Sequence, residues 1–308
     1  MNSFEKGRMM LRTFINRLIL FILIIAPSSL HALEDSDVIS HIGYDFMEVM
    51  PGNLEIDYRL DIYVDKYDFI INAFNTEHVK YYAITNAFFL SYDVAGPVSL
   101  NCLIPYVYAY SDQGSENSIT VSDMGDISLG AKAQLYQSAK TALNFNLKYI
   151  LSTGKSPYKV NSGELSTGSG YDSIQTRLTL VKKHKPVYPY FGVHYYNNLK
   201  INDFNNLRYG SELDSLDPGK VVGIDLGLGI AASENFSLQF GIEYDYYHGA
   251  EYHYKAGTTP VMDYSTKDIT IGCGWKITDK TALHLTFLRG IDDDSTDYQV
   301  HLYIPTVF

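Results

Sequence analysis

The 308-residue sequence has two cysteines, Cys102 and Cys273, and one tryptophan. An exported chain with this cysteine count forms at most one internal disulfide. Basic residues are also scarce, 24 Lys and Arg against 35 Asp and Glu for a net charge of −11. That balance excludes the basic surface on which nucleic-acid binding depends, so no nucleic-acid partner is expected. Nor does any apolar run reach the ~20 residues that a spanning helix needs. If this chain crosses a membrane, strands must carry it.

The first 32 residues stand apart. Lys6, Arg8, Arg12 and Arg17 precede an apolar run from Leu18 to Ala26, followed by Pro27 and small residues up to Ala32. This is the layout of a signal peptide, with Leu30 and Ala32 at the cleavage positions. Residues 1–32 are therefore expected to be removed, 33–51 to lie in the periplasm and 52–308 to form the folded body.

What the chain has in quantity is tyrosine, 27 of 308 residues. Strands favour this residue, and it suits a boundary between lipid and water. Beyond residue 52 the chain resolves into twelve segments of alternating polarity. In the first, Leu54, Ile56, Tyr58, Leu60 and Ile62 alternate with Glu55, Asp57, Arg59 and Asp61. Others repeat the pattern: Leu143, Phe145, Leu147, Tyr149 and Leu151 flank Asn144, Asn146 and Lys148, and Phe236 to Tyr244 flank Gln239 and Glu243. The remaining segments start near 82, 98, 127, 174, 187, 222, 269, 283 and 298. Ionised residues are nearly absent from the apolar faces, Arg289 being the exception. Alternation alone fits a sandwich as well as a barrel. The connections decide: short turns near 95, 138, 184, 233 and 279 interleave with polar loops near 65–79, 111–123, 153–170, 197–218, 248–266 and 290–296. Short turns on one side and long loops on the other is the pattern of an outer-membrane barrel. The expected fold is thus an all-β, transmembrane antiparallel β-barrel of about 12 strands, in which Cys102 and Cys273 face lipid as two free thiols.

Three stretches add a resemblance. Gly125-Asp126-Ile127-Ser128-Leu129-Gly130, then Leu151-Ser152-Thr153-Gly154, then Ser166-Thr167-Gly168-Ser169-Gly170-Tyr171-Asp172 resemble the outer-membrane transporter family named for the meta-pathway of phenol degradation. Order and spacing match, with Ser152 where the family has Pro and Ser166 where it has Gly. The resemblance implies a barrel in the bacterial outer membrane that passes small molecules, hydrophobic or aromatic ones included. The terminal Phe308 on an amphipathic strand is similar to the signal read by the barrel-assembly machinery, which with outer-membrane lipid and an unknown small solute completes the expected partners.

The polar faces nominate a lumen lined by Arg59, Asp61, Lys132, Lys148, Arg177, Glu243, Asp245 and Lys276, together with Glu55, Asp57, Asp126 and Asp225. Such groups tune charge selectivity or bind solute; the plain alternative is that they pair and fill the interior. No cofactor, metal or catalytic residue is assigned. His194, His284 and His301 read as isolated inward residues without a serine signature. The Ser/Gly stretches match no phosphate-binding loop. Tyr244, Tyr246, Tyr247, Tyr252 and Tyr254 read as an interfacial girdle, and Asp292, Asp293, Asp294 and Asp297 as a solvated loop rather than a Ca²⁺ site. The expected function is an outer-membrane channel or transporter for small molecules; the alternatives are an outer-membrane hydrolase and a plugged structural or adhesive barrel.

Overall fold

The computed structural model describes residues 52–72, 75–95, 97–112, 118–160, 164–202, 207–208, 211–255, 257–292 and 295–308. The expected signal peptide and the periplasmic segment lie outside them. Alternating sequence becomes alternating orientation because successive side chains of a strand point to opposite faces. The long strands are β1 (Leu54–Asn72), β2 (Asn75–Ala95) and β3 (Val98–Asp112), with β4 (Ser118–Met124) and β5 (Ile127–Gln137) following. Next come β6 (Thr141–Leu151), β7 (Ser173–Lys182) and β8 (Val187–Asn198). Three short pieces, β9 (Ile201–Asn202), β10 (Leu207–Arg208) and β11 (Ser211–Asp217), precede β12 (Lys220–Ser233) and β13 (Phe236–Tyr247). Then β14 (Glu251–Tyr254) and β15 (Gly257–Pro260) lead to β16 (Tyr264–Lys276), β17 (Ala282–Gly290) and β18 (Tyr298–Val307).

Every strand of the main sheet is antiparallel to its neighbours, and β1 pairs with β18 from Glu55↔Val307 to Val64↔Tyr298, which closes the sheet. β4 and β5 share one partner: β4 pairs with the outer half of β3 and β5 with its inner half. They are one interrupted stave, so the closed sheet is a barrel of twelve staves. The interruption falls opposite Pro105, which has no N–H for a ladder bond. There the Gly125 N–H donates to the Pro105 carbonyl at 2.9 Å instead. Closure removes both sheet edges, as a hydrocarbon environment requires of any strand-built span.

Burial is inverted relative to a soluble protein. Phe88, Leu226 and Ile242 on outward positions are 60%, 54% and 57% exposed, whereas Asp57, Lys132 and Asp225 on inward positions are 1%, 2% and 4% exposed. Only lipid makes the outward face favourable. Outward Asn86 accepts a hydrogen bond from the Tyr58 hydroxyl at 2.7 Å, which meets part of the cost of a polar group there. Cys102 and Cys273 are free thiols.

The five short turns fall where expected. The long connections carry more structure than the sequence reading gave them. The ladder of β1 and β2 continues to Asn72↔Asn75, through the stretch expected to be a loop over 65–79. β4 occupies the second half of the 111–123 stretch. The 197–218 and 248–266 stretches join as a five-stranded sheet of β9, β10, β11, β14 and β15. That sheet has its own apolar cluster: Leu213 and Leu216 are buried, with Tyr158, Ile201, Ala250, Tyr252 and Tyr254 packed around them. Tyr252 and Tyr254 thus belong to the outer sheet rather than to a lipid girdle, whereas Tyr244 is outward and exposed. Two apolar side chains at local spacing, Leu213 and Leu216, leave no strand-length periodicity to read, which is why the sequence concealed this sheet.

Candidate functional site

The barrel encloses a cavity of about 410 Å³. Each of the twelve staves contributes to its wall, among them Arg59 of β1, Lys148 of β6, Arg177 of β7, Tyr190 of β8, Glu243 of β13 and Tyr303 of β18. Of the other sequence candidates, Asp61 accepts a hydrogen bond through Oδ1 from Nδ1 of its neighbour His301 at 2.7 Å. Lys132 is buried on β5, and Asp245 on β13 is 8% exposed. Lys276 reaches the short turn after β16, where its Nζ is 3.0 Å from Asp279.

On one side of the lumen the Arg59 guanidinium sits 4.0 Å from the centre of the Phe89 ring and 5.1 Å from that of Tyr303. Its Nε donates to Asp57 Oδ2 at 2.7 Å. The cation is held by a carboxylate and two ring faces, an arrangement that fixes a charge within a narrow lumen.

The opposite wall is built over glycines. In the ladder His194, Gly223 and Asp245 are neighbours on β8, β12 and β13. With no side chain at Gly223, His194 and Asp245 meet across it, Nε2 to Oδ1 at 2.6 Å; a Cβ on Gly223 would collide with both. Gly192, the ladder neighbour of Asp225, leaves room for that carboxylate, which a Cβ there would meet, and Asp225 Oδ2 reaches Arg177 Nη2 at 2.9 Å. Tyr190 lies over Gly227, and its hydroxyl accepts from Gln239 at 3.1 Å. His194 Nε2 is also 3.8 Å from Glu243 Oε1, and Nδ1 is 3.8 Å from Asp225 Oδ1. The histidines at 194 and 301, read from sequence as isolated, therefore each face carboxylates. The missed signal was the spacing of Gly223, Gly227 and Gly229 on β12 beside inward Asp225. Glycine inside a strand marks close approach by another group.

Asp126 is placed differently from the expectation that it lines the lumen. Its Oδ1 accepts from the Gly154 N–H at 2.9 Å, and its Oδ2 from the N–H and hydroxyl of Ser169 at 2.6 and 2.8 Å. Thr167 donates its hydroxyl to the Met124 carbonyl at 2.8 Å and accepts from the Lys155 N–H at 3.0 Å. Thr153 donates to Gly125 O and accepts from Ile127 N–H, both at 2.9 Å. The three sequence motifs therefore form one clasp that ties the 152–172 connection to the break between β4 and β5. Gly154 and Gly168 allow it, because a Cβ on either would overlap the other's backbone. The clasp residues lie too far along the chain for their mutual contacts to be seen in periodicity.

Asp126→Ala removes three acceptor bonds and leaves two amides to find other partners, each such loss costing about 1–3 kcal/mol when buried. The expected result is selective proteolysis within 152–172 of a barrel that remains intact on gels. Equal protease resistance would show that the clasp does not hold this connection.

At the other end of the loop, the Tyr149 hydroxyl donates to Asp172 Oδ2 at 2.6 Å, and Ser152 donates its N–H and hydroxyl to Oδ1 at 2.8 and 2.9 Å. These bonds, that from Tyr149 foremost, hold the Asp172 carboxyl below the usual carboxylate range. A depressed value in the folded state means that the anchor is complete above the ordinary Asp pKa of about 3.9 and is lost as pH falls below it through the folded value. Amide exchange at Ser152, corrected for the intrinsic rate, is expected to accelerate on acidification below about pH 4. In Asp172→Asn that step should be absent, and its persistence would assign it elsewhere.

In the 290–296 loop, Asp292 receives the Ser295 hydroxyl and pairs with Lys267 Nζ at 3.2 Å. Both contacts hold its carboxyl below the usual range. Asp293 and Asp294 lie outside the described residues.

Among curated proteins nothing matches this chain. Among solved structures, it is similar to an outer membrane channel from Pseudomonas putida F1, at 13% identity and a TM-score of 0.64, over 85% of this chain and 97% of that one. It also aligns with the translocator domain of the autotransporter NalP from Neisseria meningitidis, at 10% identity and a TM-score of 0.49, over 84% and 88% of the two chains. The first likeness is one of fold, and it agrees with the closed outer-membrane barrel built above. Residues 65–304 match the family described as "Putative MetA-pathway of phenol degradation". That span takes in every motif of the clasp and nearly all of the barrel, and the chain belongs to this family.

Proposed function

We propose that the protein is an outer-membrane channel through which small molecules pass by way of the barrel lumen. One observation carries this reading: the cavity of about 410 Å³ is bounded by all twelve staves and so lies on the path across the membrane. Its volume falls within the range of small-molecule sites, ~300–1,000 Å³. Rings of Phe89, Tyr190, Tyr196 and Tyr303 share the wall with Arg59, Lys148 and Arg177. Flat aromatic solutes carrying hydroxyl or acidic groups match that mixture, and the family's phenol-degradation description points to the same class.

The test is single-channel conductance of residues 33–308 in planar bilayers, with heat-modifiable gel migration as the check on folding. Discrete steps that small aromatic acids reduce are expected. A folded barrel without conductance would overturn the reading in favour of a plugged one.

A further inference from the structure

The lumen wall formed by β8, β12 and β13 gathers donors of a kind that a channel wall does not require. His194 Nε2, Glu243 Oε1 and Asp245 Oδ1 converge within 4.8 Å of one another over the gap left by Gly223. His194 is 3% exposed, and its Nδ1 makes no hydrogen bond among the described residues. On that side Asp225 Oδ1 waits at 3.8 Å, itself without a hydrogen bond and tied to Arg177 through Oδ2.

We propose that His194, Glu243 and Asp245 form a binding site for a divalent transition-metal cation of the Zn²⁺ type, with Asp225 orienting His194 from behind. The inference goes beyond solute passage and does not depend on it.

Three arguments carry the assignment. The first is geometric. Ligands about 2.0–2.2 Å from a tetrahedral ion lie roughly 3.3–3.5 Å from one another. The His194 to Asp245 and His194 to Glu243 separations of 2.6 and 3.8 Å bracket that value, so the ion is admitted when Glu243 closes in by a few tenths of an ångström and Asp245 draws back by just under one ångström, giving up its hydrogen bond to the ring. The cavity beside Glu243 leaves the fourth position open to water or solute.

The second is charge. Asp225 is paired with Arg177, and the three carboxylates of this wall, Asp225, Glu243 and Asp245, share that one guanidinium and one imidazole. Asp268 adds a further carboxylate, opposite Glu243 on the neighbouring strand. A divalent ion balances the charge of Glu243 and Asp245, and buried carboxylates demand such compensation.

The third is the chemistry of the donors. One imidazole and two carboxylates suit a borderline cation such as Zn²⁺; Ca²⁺ takes oxygen ligands and Mg²⁺ retains its waters. A carboxylate behind the distal ring nitrogen is the usual support of a metal-bound histidine, and Asp225 stands on that side at 3.8 Å, where a small approach would form the hydrogen bond.

The experiment uses tag-free, folded, chelator-treated barrel in detergent. Zn²⁺ binding is measured by equilibrium dialysis and the coordination by the visible absorption of added Co²⁺. One ion per barrel is expected, with at least a tenfold loss of affinity in His194→Gln and in Asp245→Asn. Glu243→Gln, altered at a partly exposed cavity position, gives the same reading if the buried variants fold poorly. The double variant His248→Gln/His253→Gln, confined to the outer loop and sheet, should bind as the unaltered protein does. A barrel that binds no ion overturns the site, as does binding that survives His194→Gln and Glu243→Gln or that disappears with the outer pair. A barrel that binds Zn²⁺ but does not conduct retains the site and loses the channel. One that conducts without binding loses the site alone.

Discussion

Arg177→Met is expected to destabilise the barrel by about 3–5 kcal/mol, the cost of removing one partner from a buried ion pair. Asp225 is 4% exposed, and Arg177 holds its Oδ2 at 2.9 Å. Without the guanidinium, the carboxylate keeps His194 at 3.8 Å as its neighbour and has Glu243 beside it in the ladder on β13. The lumen cannot hydrate Asp225 freely, so the loss is mainly the penalty of an unpaired buried charge. Urea-induced unfolding in lipid or detergent reports it as a lowered midpoint. The double variant Arg177→Met/Asp225→Leu should regain most of the difference, because replacing both ions by apolar groups of similar size is often neutral. A single variant as stable as the parent would mean that water reaches Asp225 and that this wall is wetter than its burial indicates.

Leu226→Arg should cost about 2–4 kcal/mol, as charged residues do on the lipid face near the bilayer midplane. Leu226 is central in β12, 54% exposed, and its outward neighbours are Phe191 and Ile242. The prediction separates a lipid environment from an aqueous one, since in water the same change would be neutral or would improve solubility. Arg289 supplies an internal contrast. It sits on the outward register of β17, opposite Ile269 and next to the strand's end, where a long side chain can extend toward the membrane surface. Leu226→Arg measured beside Arg289→Leu should show a large loss for the first and little change for the second. Equal stability of Leu226→Arg and the parent barrel would contradict the assignment of this face to lipid.

The glycines mark where sequence reading stopped. β12 could be recognised from Val222, Ile224, Leu226, Leu228 and Ile230, because a face turned to lipid has to be apolar at every second residue. The inward face obeys no such rule. Asp225 and Asp245 belong to adjacent strands, yet Asp225 turns toward Arg177, two staves away, and Asp245 toward His194. Which way each turns depends on the open positions at Gly192 and Gly223. The motifs around Asp126, Thr153 and Thr167 were visible as a family signature, but their role was not. Hydrogen bonds between residues 28 or 43 positions apart leave no periodic trace.

The sequence by itself determined the barrel: the alternation of polarity, the interleaving of short turns with long connections, and the scarcity of charge on one face. Each of these follows from a constraint applied residue by residue, since lipid meets every outward side chain and each strand must pair its backbone with the next. The tertiary structure alone decided the pairing of charges in the lumen, the clasp at Asp126, the outer sheet around Leu213 and Leu216, and the meeting of His194, Glu243 and Asp245. Those depend on which staves become neighbours and on where a missing side chain leaves room, and the closed register of the barrel sets both.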